Sequence, residues 1–252
     1  MQGKPILSKL AIISLIVCGL LLFPKSTSKQ QVAANSTESI TQVSATDSSA
    51  HYPYASILLD VPLESQFAGE KLDNGCEVTA LSMLLRYYGY NTNKNELANR
   101  LHYVPFQVDA QHYGNPHEGF VGDIASGKQA MGVFVEPIAQ LARSYVHSDV
   151  QIHSEKLSFA QIIQLLQRDT PVWSLATVNL VEPRDQDFID WSTTSGVIKV
   201  TPLIHAVVLT GMDQEYIYVN DPYGVKNRPV KIGTMQKIFE KLGQQSLYLS
   251  IQ

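Results

Sequence analysis

"DNGCEVTALSMLLRYYGY", residues 73–90, opens on an Asn-Gly turn and then changes character. From Cys76 onward, Val78, Ala80, Leu81, Leu84, Leu85 and Tyr88 recur at helical spacing, and Gly89 stands where a C-cap is expected. The pattern predicts a helix whose first residue is Cys76. Helix N-termini carry unsatisfied N–H groups and a partial positive charge. A thiol there is expected to have a lowered pKa, and the thiolate is the nucleophilic form. Gly75 leaves room for a substrate to approach. Buried cysteine is also common without any function, and this stretch alone leaves both readings open.

The chain of 252 residues has two cysteines, Cys76 and Cys18. Cys18 lies in "LAIISLIVCGLLLF" (10–23), an apolar run preceded by Lys4 and Lys9. Its length suits a signal-peptide core and is short for a membrane span. Residues 1–24 therefore read as a signal peptide, with an uncleaved membrane anchor as the alternative. Lys25 and Lys29 follow the run, so flanking charge does not orient it. "LIVC" is a poor lipoprotein box, because Val17 is bulky and the apolar run continues past Cys18. The expected location is outside the cell or at its surface. The exported part then keeps one thiol and cannot form an internal disulfide.

Residues 25–55 are rich in Ser, Thr, Gln and Ala, lack apolar periodicity and read as a disordered tether. Residues 56–252 form the expected folded domain. A hydrophobic content of 44% is ample for one core, and a net charge of -4 gives no basic footprint for nucleic acid.

Within that domain, "ILLDVPL" (57–63) reads as a strand and "KNELANRL" (94–101) as a helix. "GVFVEP" (132–137) reads as a strand leading into the helix "IAQLARSYV". "SFAQIIQLLQRD" begins with a capping box, Ser158 and Gln161. Strands then dominate: 171–178, 202–211, 216–221, 229–232 and 246–251, interrupted by a helix over 234–243 with Thr234 and Gly243 at its ends. Helices first and an antiparallel sheet after is an α+β order.

His205 lies in the apolar strand "PLIHAVVLTG" and needs a polar partner; a backbone-bonded core histidine is the competing reading. If the following hairpin centres on Asp213, position 205 pairs with 221 and Asp221 shares a face with His205. A half-residue shift makes Asn220 the rival. Either side chain could hold the imidazole in one tautomer, although "NDPYG" is also an ordinary turn sequence. Gln66, ten residues before Cys76, could join the Cys76 N–H as an oxyanion hole, a weak signal by spacing alone.

"VPLESQ…NGCEVTALSMLLRYYG", "NPHEGFVGD" and "HAVVLTGMD…YIYVNDPYG" together resemble the C39-like family of bacterial cysteine peptidases, over nearly the whole folded part. The resemblance implies a papain-like fold, with a helical lobe followed by an antiparallel sheet lobe. It implies Cys76 as nucleophile, His205 as base, Asp221 as its orienter and Gln66 as oxyanion donor. With the N-terminal reading, this gives an exported peptidase acting on a peptide or protein, expected to be a monomer with no cofactor. The best-known relatives, at the N-terminus of ABC exporters, clip leader peptides after a double glycine. This chain carries no transporter, so that substrate does not transfer. A cell-wall peptide amidase with the same triad, or a non-catalytic binding module, are the alternatives.

His112, His117 and Glu118 cluster in "QHYGNPHEGF" but match no common zinc spacing. That stretch reads instead as a Gly-rich loop at a cleft rim. Trp191, before the His205 strand, reads equally as a shield for the Cys–His pair, a substrate contact or an ordinary core aromatic.

Overall fold

The computed structural model describes residues 55–251. The expected signal or anchor segment, and all of the tether but its last residue, lie outside the described residues. The helix read around Cys76 is α1 (Cys76–Tyr87), reached through the short strand β1 (Ile57–Leu58). Its first ten residues are buried all round, as befits a helix inside a domain rather than on its surface. Gly89, at φ +85, lets Tyr90 N–H and Gly89 N–H bond back to the carbonyls of Leu85 and Arg86, a Schellman stop.

Next come α2 (Lys94–Arg100), β2 (Tyr103–Val104), β3 (Phe120–Gly122), β4 (Ala130–Gly132), α3 (Val135–Arg143) and β5 (Val150–His153). They are followed by α4 (Phe159–Leu166), β6 (Val172–Thr177), β7 (Ile189–Thr193), β8 (Gly196–Val200), β9 (Ile204–Met212) and β10 (Tyr216–Asp221). The chain closes with β11 (Val225–Lys231), α5 (Ile232–Lys241) and β12 (Ser246–Ile251). The fold is α+β. Six strands run in the order β11-β10-β9-β6-β12-β5, all neighbours antiparallel. β1 is a seventh, pairing Leu58 with Gly211 where β9 has run past the end of β6.

Several elements differ from the sequence expectation. Only Ile57 and Leu58 of 57–63 pair as strand; Leu59 donates to Thr210 O and Val61 then leaves the ladder, with Pro62 following. The strand read over 132–137 stops at Gly132, and α3 takes Val135, Glu136 and Pro137 into its first turn, where proline's missing N–H costs nothing. α5 begins two residues before Thr234, directly from β11, with no side-chain cap. The capping box of α4 forms as read, Ser158 and Gln161 bonding each other's backbone. The two-lobe order is not clean. β1 and β5 come from the helical half yet complete the sheet. β7–β8, a hairpin outside the strands read from the sequence, is a separate two-stranded ribbon. Its outer positions are solvated, which is why its sequence lacks a strand's apolar run.

One buried cluster joins the layers. Val78, Leu81, Leu84 and Leu85 of α1 pack with Trp173 and Leu175 of β6, Ala206 and Val208 of β9, and Ile238 and Phe239 of α5. Trp173 Nε1 donates to Glu77 O at 3.0 Å, fixing the start of α1 against the sheet. Among the described residues no helix is long and apolar enough to cross a membrane.

Candidate active site

The turn before α1 is held from both ends. Asn74 donates from Nδ2 to Asp123 O at 2.7 Å and from its backbone to Ile124 O at 3.0 Å. Gly75, the N-cap, offers no side-chain acceptor to the first helical N–H groups. A Cβ on Gly75 would collide with Leu72, so the turn requires glycine for space. Cys76 is thereby fixed at the helix start, 8% exposed.

Its chemistry departs from the helix-dipole expectation. Burial pushes the Cys76 thiol well above its usual value, and the neighbouring Glu77 carboxyl pushes it further. The Ala206 N–H and the thiol's own backbone N–H oppose this and do not win. The thiol donates from Sγ to Glu77 Oε2 at 3.2 Å. A partial charge at a helix end is worth at most a couple of kcal/mol, whereas desolvation of a buried charge costs several.

Glu77, 1% exposed, accepts the Val133 N–H on Oε1 at 3.1 Å. Burial pushes its own carboxyl up as well. Gly132, at φ +83, packs against this carboxylate so closely that a side chain there would strike Oε1. The sequence offered little warning of Glu77, since an acid in a first helical turn is ordinary.

β9 carries His205, 2% exposed, and β10 ends on Asp221, 1% exposed. His205 Nε2 lies 2.9 Å from Asp221 Oδ1. Arg228, on β11, donates from Nη1 to Asp221 Oδ2 at 2.8 Å and from Nη2 to Asn179 O at 3.1 Å. The Tyr223 N–H adds a bond to Oδ1 at 2.9 Å. Burial works to raise the Asp221 carboxyl, but its bond to His205, with these further donors, outweighs it and holds the carboxyl below the usual range. With Nε2 committed to Asp221, Nδ1 is the nitrogen left for sulfur. Among the hydrogen bonds of the described residues none joins Cys76 to His205; the thiol is turned to Glu77 instead.

Asn220, the sequence rival of Asp221, is also buried, but donates to Val61 O at 2.9 Å and accepts the Asn227 N–H at 3.0 Å. Its side chain ties β10 to the strand-like segment after β1. The assumed hairpin centre is off. Met212 pairs with Ile217, and an irregularity between Tyr218 and Val219 brings Asn220 opposite Val208. A bulge changes register, and turn residues alone do not announce one.

Gln66 reaches the site through its loop. Its N–H donates to Pro222 O at 2.8 Å, just past Asp221. Its Nε2 gives both hydrogens to carbonyls of the same loop, Leu72 O at 3.1 Å and Asp73 O at 3.0 Å, and Oε1 is buried without a partner. Phe67 packs on Tyr223 at 5.3 Å, and the Tyr223 ring lies 4.8 Å from the His205 ring. Tyr223 and Arg228 were missed in the sequence, because turn and strand propensity already accounted for their positions.

The remaining candidates go elsewhere. Trp191 stacks on Tyr113 at 4.3 Å and donates to Gly114 O at 2.8 Å, so it anchors β7 as a core aromatic. His112 bonds Asp109, His117 bonds Glu136, and Glu118 accepts from Asn115 and Ser195. These three side chains do not converge. A cavity of about 580 Å³ has Phe134, Leu175, Phe188 and Ile204 in its wall, with Glu136 and Lys199 among its charged lining. Ile204 precedes His205 and, like the Glu77 carboxylate, packs against Gly132.

Residues 58–247 match the model of the Peptidase_C39 like family. The chain is 40% identical over 191 residues to the uncharacterized protein YvpB of Bacillus subtilis strain 168, covering 76% of this chain and 75% of that one. The crystal structure of a candidate C39-like peptidase from Bacillus anthracis superposes with a TM-score of 0.73 at 31% identity, over 79% of this chain and 99% of that one.

Proposed function

The chain belongs to the Peptidase_C39 like family, and from that premise we propose that it is a cysteine peptidase in which Cys76, His205 and Asp221 act as a triad. The observation that carries this reading is the buried His205–Asp221 pair at 2.9 Å, secured by Arg228, on the strand whose Ala206 N–H reaches the Cys76 sulfur. A histidine merely satisfied in a core needs no ionised partner anchored by an arginine.

In the reaction the Cys76 thiol gives its proton to His205 Nδ1, and the thiolate attacks the scissile carbonyl. The imidazolium protonates the departing amine, leaving a thioester on Cys76. His205 then takes a proton from water, whose oxygen attacks the thioester; the acid product leaves and the thiol is restored. Asp221 holds the imidazole tautomer and stabilises the imidazolium. The Cys76 N–H and Gln66 donate to the oxyanion, for which Gln66 gives up one of its two loop carbonyls. The cavity whose wall includes Ile204, next to His205, takes substrate side chains. The reading of the N-terminal segment as signal or anchor supports an activity outside the membrane, which fractionation of expressing cells tests.

The test is labelling with a thiol-reactive acyl probe, followed by digestion of a peptide library. Probe on Cys76 and cleavage lost in Cys76→Ala and His205→Ala support the reading. Cleavage retained in Cys76→Ala overturns it. An inert library with release of peptides from purified peptidoglycan assigns the same triad to a wall amidase.

A further inference from the structure

Glu77 is a buried acid that the reaction above does not use. Among the described residues no lysine, arginine or histidine forms an ion pair with it, whereas Asp221 has two such partners. Its side chain is held by two donors, the Val133 N–H on Oε1 and the Cys76 thiol on Oε2. Burying a carboxylate without a cation is costly. Gly132, at a φ that side chains rarely adopt, leaves the space this carboxylate occupies.

We propose that Glu77 is a positioning residue of the site, whose carboxylate holds the Cys76 thiol turned from the imidazole in the resting protein until substrate binding hands it to His205. The inference rests on Cys76 being the nucleophile. The resting site is then a thiol that donates to Glu77, and the proton moves from Sγ to Nδ1 only in the presence of substrate. Four other titratable groups surround the pair: His205 on β9, Asp221 behind it, Tyr223 after β10 and Tyr103 on β2. The Glu77 charge also acts on Tyr103, whose phenol is pushed up to about 12, chiefly by burial. Asp221, Tyr223 and Tyr103 supply no positive charge to draw the thiol proton off, and the charge His205 carries once it takes a proton acts on the Glu77 carboxyl as well.

The experiment follows alkylation of Cys76 by iodoacetamide against pH, read by mass at that residue, in the wild type, Glu77→Gln, Glu77→Asp and Gly132→Ala. In Glu77→Gln the amide oxygen still accepts from Val133, and the amide nitrogen donates to sulfur where a carboxylate accepted. The alkylation midpoint should fall by about one pH unit or more, a tenfold gain in thiolate at a given pH below it. Glu77→Asp, which keeps the charge, should stay closer to the wild type. Gly132→Ala, which must displace the carboxylate, should move the midpoint the same way as Glu77→Gln. An unchanged or raised midpoint in Glu77→Gln overturns the inference. So does a wild-type midpoint below that of a free cysteine, about 8.5, which needs no variant to fold. A Cys76 that iodoacetamide never labels overturns the nucleophile reading along with it. A labelled Cys76 with an unshifted midpoint removes Glu77 alone.

Discussion

Asp221 does not sit opposite His205 in the sheet, yet its carboxylate bonds the imidazole at 2.9 Å. With Asn220 opposite Val208, the register places Asp221 beside Val207, and the carboxylate reaches diagonally along the strand to His205. Diagonal neighbours on one face stand ~7–8 Å apart at their backbones, within reach of two polar side chains aimed at each other. Tyr223 and Arg228 then fill the remaining positions around the carboxylate.

Cys76→Ala should lower turnover by roughly a millionfold, the cost of losing a nucleophile from a triad. The melting curve should stay cooperative, since the links removed are the thiol's bond to Glu77 and the weak backbone N–H contacts to sulfur. Kinetics on a cleaved library peptide and a thermal melt check both halves.

Asp221→Ala should lower kcat by about a thousand- to ten-thousandfold, as when a triad orienter is disabled. The thiol is not ionised at rest, so His205 must take its proton during the reaction and depends on its orienter. Asn220→Ala should behave differently. It removes one buried and one half-buried hydrogen bond and should cost about 1–3 kcal/mol of stability, with kcat nearly unchanged. Paired kinetics and denaturant unfolding separate the roles, and the opposite pattern would exchange them.

The stability that Asp221 contributes should depend on pH in one direction. Its carboxyl is held lower in the folded protein than in the unfolded chain, where carboxylates titrate near 3.9. The contribution is therefore complete above that value and is lost as pH falls through the depressed folded value. The stability gap between wild type and Asp221→Asn should be widest near neutrality and narrow below about pH 4. Denaturant midpoints measured from pH 7 down to pH 3 check it.

Gln66→Ala should lower kcat by about a hundred- to a thousandfold, the usual loss of one oxyanion donor, while iodoacetamide labels Cys76 at the wild-type rate. Loss of stability with kcat intact would make Gln66 a staple for the 66–73 loop, the task its two hydrogens perform at rest.

Much of this protein was legible in its sequence because it is set by near neighbours along the chain. The apolar spacing after Cys76, the glycine at 89 and the Ser158–Gln161 box define α1 and α4 within a dozen residues each. The apolar runs of β9 and β10 announce two adjacent strands. The spacing of His205 and Asp221 kept them on one face even though the assumed register was wrong. Tertiary structure alone decided the rest. The thiol's ionisation follows from what is packed over Cys76, where burial and the Glu77 carboxylate overcome the helix end. The resting duty of Gln66, the Arg228 anchor and the space left by Gly132 each come from a meeting of distant segments or from the local path of a loop. Periodicity and caps are local and survive in one dimension. Desolvation and long-range hydrogen bonds exist only once separate segments exclude water from between them.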